Sequence, residues 1–189
     1  MLEGIVQWDK EFFLFLNGLG SETWDGFWLF ITNKWSAIPL YIVLLGVLYH
    51  FLGWKRTLIV LVFIGLLITA TDQLGNFFKY GVQRPRPCHD LDIGEMVRLV
   101  KKSCGGKFGY FSAHASNSMA LATFFSVLLK SKIKWIATPL TLWALLVAYS
   151  RIYIGVHYPL DVVTGILIGL IFGGLFANLS IFAFQKFGT

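Results

Sequence analysis

Uncharged apolar stretches of bilayer-crossing length recur through this chain and constrain its fold more than any other feature. A bilayer core takes about 20 predominantly apolar residues per helix, and lipid admits only structures whose backbone groups are satisfied internally. Five stretches read as spans: 37–53, 57–70 extending past Asp72 to Phe78, 112–129, 136–149 between Trp135 and Tyr149, and 162–185. Only 14% of the 189 residues are charged, against about a quarter in soluble domains. A disordered chain, a coiled coil and an ordinary cytosolic domain are thereby excluded. The expected fold class is all-α: an integral membrane helical bundle of about five to six transmembrane helices, forming one domain over residues 1–189.

The first 35 residues read differently. Phe12–Leu19 and Trp24–Thr32 are apolar, but Glu22 and Asp25 stand between them with Gly18 and Gly20. A carboxylate at membrane depth costs roughly 2.5–3.5 kcal/mol on insertion scales, so two short interfacial helices are expected over 1–35 rather than one span. The segment Met1–Glu11 lacks the basic start of a secretory signal, and no small-residue cleavage pattern follows.

Charge sets the orientation. Lys55, Arg56, Lys130, Lys132, Lys134 and Lys186 fall on one side of the alternating spans, without any acidic residue. The bias of basic residues toward the cytoplasm puts the amino terminus and the polar segment 79–110 outside it. That segment carries seven Lys and Arg, which simple counting would place inside; a different role for several of them resolves the conflict. It also holds both cysteines, Cys88 and Cys104. An oxidising compartment allows a disulfide, worth about 3 kcal/mol in the chain-entropy model; two free thiols are the alternative.

Ionisable groups near membrane depth are the informative ones. They form three clusters: Lys79 through Arg86-Pro87, Phe111-Ser112-Ala113-His114, and Ser150-Arg151 through His157 to Asp161. Alternation of the spans brings all three to one end of the bundle. Guanidinium groups match the fork of phosphate oxygens, and Ser112 opens a helix whose first amides favour an anion. Imidazoles add nucleophilic and proton-transfer chemistry. Asp161 follows His157 by one helical turn, within reach of an imidazole N–H. A divalent metal is disfavoured, because two His and one Asp would hold it amid Lys79, Arg86 and Arg151.

Together, Lys79-x6-Arg86-Pro87, Ser112-Ala113-His114 and Ser150-Arg151-x5-His157-x3-Asp161 resemble the three-part signature of the type 2 phosphatidic acid phosphatase family. Its superfamily includes membrane lipid phosphatases, glucose-6-phosphatase and vanadium haloperoxidases. The match runs from about Asp72 to Asp161. The resemblance implies that His157 is the nucleophile forming a phosphohistidine, with Asp161 orienting it and His114 protonating the leaving oxygen. It implies phosphate binding by Lys79, Arg86, Ser112 and Arg151, with amides near Ala113, and no metal or other cofactor. One departure stands out: the second motif usually reads Pro-Ser-Gly-His, whereas Phe111 and Ala113 occur here.

The expected activity is hydrolysis of a terminal phosphate from a lipid: a lipid A phosphate, undecaprenyl diphosphate, phosphatidylglycerol phosphate or phosphatidic acid. The short family type points to a bacterial inner membrane, with the site facing the periplasm or exterior. The partners are the membrane and the lipid phosphate, not nucleic acid. Lipid phosphotransfer and phosphate-binding transport are the alternatives. Arg84, Lys101, Lys102 and Lys107 read as loop charges that attract anionic headgroups. Asp72 either pairs with a pocket cation or holds spans in register, and Gly165, Gly169 and Gly173 read as a close-packing stripe.

Overall fold

In the computed structural model, which describes residues 2–187, the chain is all helical with no strand among those residues. Residues 1, 188 and 189, the ends of the expected 1–189 domain, lie outside them. Six α-helices follow one another: α1 Leu2–Gly18, α2 Glu22–Thr32, α3 Ile38–Val82, α4 Ala113–Leu129, α5 Ala137–Tyr153 and α6 Pro159–Phe187. Two helices, spanning Lys34–Val82 and Pro159–Lys186, are long and apolar enough to cross a membrane, and α4 is a shorter apolar helix.

Helix α3 is two helices joined at a bend. Gly53 breaks it with φ +76° and ψ 172°, a conformation open to glycine and costly for other residues. The break falls between the first two apolar stretches of the sequence. The second arm then returns the chain to the polar end, where Gln83 ends it in a left-handed conformation.

Helix α4 lies at the centre. Its buried residues come from every side of the helix, as required of an element surrounded by others. Helix α6 packs against it through Gly165, Gly169 and Gly173. A methyl group added at Gly165 would stand 2.6 Å from the Ser112 carbonyl oxygen, and one at Gly169 would stand 2.8 Å from Met119 Cβ. The glycine stripe therefore serves contact within the bundle, where small residues let two backbones approach.

The amino-terminal helices are built into the polar end. Asn17, 1% exposed, donates Nδ2 to the carbonyls of Ile152 (3.1 Å) and Tyr153 (2.9 Å) at the end of α5, satisfying groups that a helix terminus leaves orphaned. Phe13 packs edge-on to Tyr158, with ring centroids 5.4 Å apart. From α2, Asp25 accepts twice from Arg98 Nη2 at 2.7 Å, anchoring the 83–112 loop. Two short 3-10 turns, Pro87–His89 and Gly94–Met96, are the helical structure of that loop.

Candidate active site

Four of the chemical groups sit where a helix ends. Lys79 is in the last turn of α3, Ser112 caps α4, Arg151 is in the last turn of α5, and Asp161 is in the first turn of α6. The turn carrying His157 between α5 and α6 is made by Gly155. Its φ is +82°, and an added methyl would meet the Arg98 carbonyl oxygen at 2.7 Å. Antiparallel helices thus gather residues distant in sequence, and the cations of Arg151, Arg86 and Lys79 all lie in electrostatic range of His157.

His157 is 3% exposed and Asp161 fully buried. His157 Nδ1 lies 3.5 Å from Asp161 Oδ2 and has no hydrogen-bond partner, so the two side chains approach each other without forming a hydrogen bond. Catalytic contacts often tighten only when substrate binds. Asp161 is itself firmly held: Oδ2 accepts from the Tyr158 amide (3.1 Å) and Oδ1 from Arg84 Nη1 (2.9 Å). Burial, followed by the charges of Arg151, Arg86 and Lys79, pushes the His157 imidazole well below its ordinary 6.5. The ring is therefore neutral near pH 7 and carries a free lone pair.

Arg86 is aimed by the loop. Its backbone N–H donates to Lys107 O at 3.0 Å, and Gly109 N–H to Arg84 O at 3.0 Å, so 84–86 runs antiparallel to 107–109. Its Nη1 donates to Cys104 O at 2.6 Å. Cys104 is joined to Cys88, with Cα atoms 6.3 Å apart, so the crosslink fixes the carbonyl that orients this guanidinium. Arg151 is 4% exposed; it donates Nη1 to Thr32 Oγ1, while Nε has no partner. A buried guanidinium N–H left unpaired is costly, and a phosphate oxygen would satisfy it.

Ser112 caps α4 through its Oγ, which accepts from the Ala115 N–H at 3.5 Å, and its own N–H donates to Asp161 O at 3.0 Å. Ala113 takes up helical geometry with negative φ, so the residue replacing glycine meets no backbone conflict. Phe111 is fully buried and packs against Phe78, centroids 5.8 Å apart.

Sequence reading missed four contributors. Arg84, expected among the loop charges that attract anionic headgroups, lies instead between two buried carboxylates: Nη2 donates to Asp9 Oδ2 at 2.6 Å and Nη1 to Asp161. Its guanidinium also lies over the Tyr158 ring, 4.1 Å from the centroid. Asp9, on α1, is fully buried. Thr32 holds Arg151. Lys101 lies in range of His114, Arg151 and Arg86; burial and then those two arginines push its ammonium down. The partners of Asp9 and Thr32 are more than 70 residues away, so no local pattern reveals them. Asp72 accepts from Asn117 Nδ2 at 2.8 Å, and Asn117 Oδ1 accepts from Thr71 at 2.6 Å, which ties α3 to α4.

A cavity of about 640 Å³ opens between the arms of α3 and helices α4 and α5. Its walls are largely apolar, with Tyr41, Leu45, Ile64 and Trp143 among them, and it reaches Asp72 and His114 at its polar end.

Residues 57–184 match the sequence profile of the PAP2 superfamily. The chain belongs to the PAP2 superfamily. It is 38% identical to the lipid A 4'-phosphatase of Bacteroides thetaiotaomicron over 93% of this chain and 78% of that one. It is 36% identical to the lipid A 4'-phosphatase of Porphyromonas gingivalis over 96% of this chain and 77% of that one. Among solved PAP2 structures, LpxE of Aquifex aeolicus superposes with a TM-score of 0.65 at 28% identity, covering 89% of this chain and 93% of that one. The phosphatidylglycerolphosphate phosphatase of Bacillus subtilis shares the fold, with a TM-score of 0.73 at 18% identity over 93% and 86% of the two chains.

Proposed function

We propose that this protein is a membrane lipid phosphatase that removes a terminal phosphate from a lipid through a phosphohistidine at His157. The reading is carried by one observation: three basic side chains, Lys79, Arg86 and Arg151, face a buried, neutral His157 whose far nitrogen is backed by Asp161. The Nε2 lone pair attacks phosphorus as the P–O bond to the lipid breaks, and His114 gives its proton to the departing oxygen. Water then attacks the phosphorus, His114 accepts the water's proton, and the P–N bond breaks to release phosphate. Asp161 keeps Nδ1 protonated and stabilises the developing imidazolium. The cationic cage supplies most of the acceleration by stabilising charge on the phosphoryl oxygens.

Lys79, Arg86 and Arg151 hold the phosphate together with Ser112 and the amides near Ala113. Two relatives that match over more than nine-tenths of this chain, at 38% and 36% identity, are named as acting on lipid A; relatives at 27% identity, and at 40% over a 62-residue stretch, are named as undecaprenyl-diphosphatases. A lipid A phosphate is therefore the substrate favoured here. The apolar cavity ending at His114 suits an acyl chain of the molecule whose leaving oxygen that imidazole protonates.

In this reading α3 contributes two of five membrane spans through its bend at Gly53, and the site faces the non-cytoplasmic side of a bacterial inner membrane. Lys55, Arg56, Lys130 and Lys186 mark the opposite end, where Arg56 lies over the Phe184 ring at 5.9 Å. The test is inorganic phosphate release by purified protein from lipid A, undecaprenyl diphosphate, phosphatidylglycerol phosphate and phosphatidic acid. His157→Ala should abolish release while the protein stays folded in detergent; activity equal to the unmodified protein overturns the nucleophile.

A further inference from the structure

We infer that Asp9, on helix α1, is a positioning residue of the catalytic site, setting the charge of Asp161 through Arg84 so that Asp161 can support His157. This rests on the phosphatase reading above and adds to it a residue outside the 57–184 region that defines the family.

One guanidinium is shared by two carboxylates. Arg84 donates Nη2 to Asp9 (2.6 Å) and Nη1 to Asp161 (2.9 Å), and both acids are fully buried. With a single acid partner, Arg84 would cancel the Asp161 charge outright. With Asp9 present the ionised trio keeps one net negative charge, and it lies on the Nδ1 side of His157. That charge is what an imidazole becoming positive requires, and in a buried site it is screened less than in water.

Helix α1 is also fixed against the same atoms. Asp9 Oδ1 accepts from the Leu160 N–H at 3.0 Å, capping the helix that carries Asp161. The next residue, Lys10, donates to Asp90 Oδ1 at 2.9 Å, and Asp90 Oδ2 accepts from Tyr158 Oη at 2.7 Å. Tyr158 is the ring beneath Arg84. Two consecutive residues of α1 thus hold the guanidinium from its edge and from the ring below it. A buried carboxylate used only as a helix cap would be an expensive choice, since Ser or Asn serves that purpose without burying a charge.

The charged and titratable groups facing His157 are Arg151, Arg86, Lys79, His114 and Asp161; Asp9 meets Arg84, the Leu160 amide and the charge of Asp161. Removing the Asp9 charge leaves that surrounding more positive, which disfavours the imidazolium. The experiment compares unmodified protein with Asp9→Asn, Asp9→Ser and Asp9→Glu in detergent, with rates normalised to folded protein. Asn and Ser keep a capping oxygen and lose the charge; whichever gives the higher folded yield is read.

The neutral variant should lose roughly 10- to 100-fold in kcat with KM changed less than threefold, in the range of a positioning or proton-transfer effect. The acid limb of its kcat–pH profile should move to lower pH, and Asp9→Glu should restore the limb. A neutral variant with an unmoved acid limb, or with kcat within twofold, reduces Asp9 to a helix cap and overturns this inference while leaving the phosphatase reading intact. Unmodified protein that releases no phosphate from any lipid phosphate overturns both.

Discussion

His157 Nδ1 stands 3.5 Å from Asp161 Oδ2, with both residues sealed from solvent. The carboxylate spends its other lone pairs on the Tyr158 amide and on Arg84. Asp161→Asn keeps the shape of this arrangement but presents an amide N–H or a weaker acceptor to the imidazole and takes one of Arg84's two acids. The expected loss in kcat is about 10⁴-fold, by analogy with a triad carboxylate whose change to the amide leaves the wrong tautomer. Protein incubated with labelled substrate and quenched in alkaline denaturant, where the P–N bond survives, should retain less phosphohistidine in the variant. Trapping and kcat at unmodified levels would show that Asp161 does not orient the nucleophile.

The environment of His157 also makes stability depend on pH. Arg151, Arg86 and Lys79 face it, with Asp161 the one acid in contact, and burial comes first among the causes that keep it neutral. Below its ordinary value of 6.5 the unfolded chain takes up a proton that the folded chain refuses. The unfolded state then binds more protons, so stability falls as pH falls below 6.5 and gains nothing from this group above it. Melting temperatures in detergent should drop between pH 7 and pH 5, and His157→Gln should flatten that slope. An identical slope in both proteins would exclude His157 as its source.

The Cys88–Cys104 crosslink acts on binding through Arg86, because the Cys104 carbonyl accepts from Arg86 Nη1 at 2.6 Å. Replacing both cysteines with serine loosens that carbonyl. The inhibition constant for inorganic phosphate should rise roughly fivefold, the worth of one hydrogen bond of about 1 kcal/mol. The closed loop contributes about 3 kcal/mol by chain entropy, so the melting temperature should fall as well. A lower melting temperature with unchanged phosphate inhibition would mean the crosslink is purely structural.

What could be read from sequence, and what could not, divides along the chain. Lys79, Arg86, Arg151, His157 and Asp161 are recognisable because each sits at a fixed distance from other chemical residues within one short stretch. Gly165, Gly169 and Gly173 are recognisable because a helix repeats every three to four residues. Arg84 looks like any loop cation before a proline, since its meaning lies in Asp9, 75 residues earlier. Asp9 looks like a solvated acid on an interfacial helix, because nothing nearby in the sequence tells that its neighbours are Leu160 and Arg84. The bend at Gly53 joins what charge and hydropathy divide into two spans.

Gly109 separates catalytic precision from folding most cleanly. Its Cα faces His157 and Asp161, and an added methyl would stand 2.9 Å from Arg86 Cγ, 3.4 Å from Asp161 Oδ2 and 3.5 Å from His157 Nδ1. The last two are ordinary contacts; the first forces the Arg86 stem to move. Gly109→Ala should therefore shift the guanidinium, and displacements of this kind cost about 10²-fold in rate. At Gly169 the same methyl would meet Met119 Cβ at 2.8 Å and the Ala120 backbone nitrogen at 2.9 Å, far from any catalytic group. Gly169→Ala should instead destabilise the α4–α6 contact by about 1–3 kcal/mol, with kcat per folded molecule nearly unchanged. Measuring kcat and melting temperature for both variants tests the distinction: a Gly109→Ala protein with full activity would mean that Arg86 has room to spare and that its position is not set by close packing against Gly109.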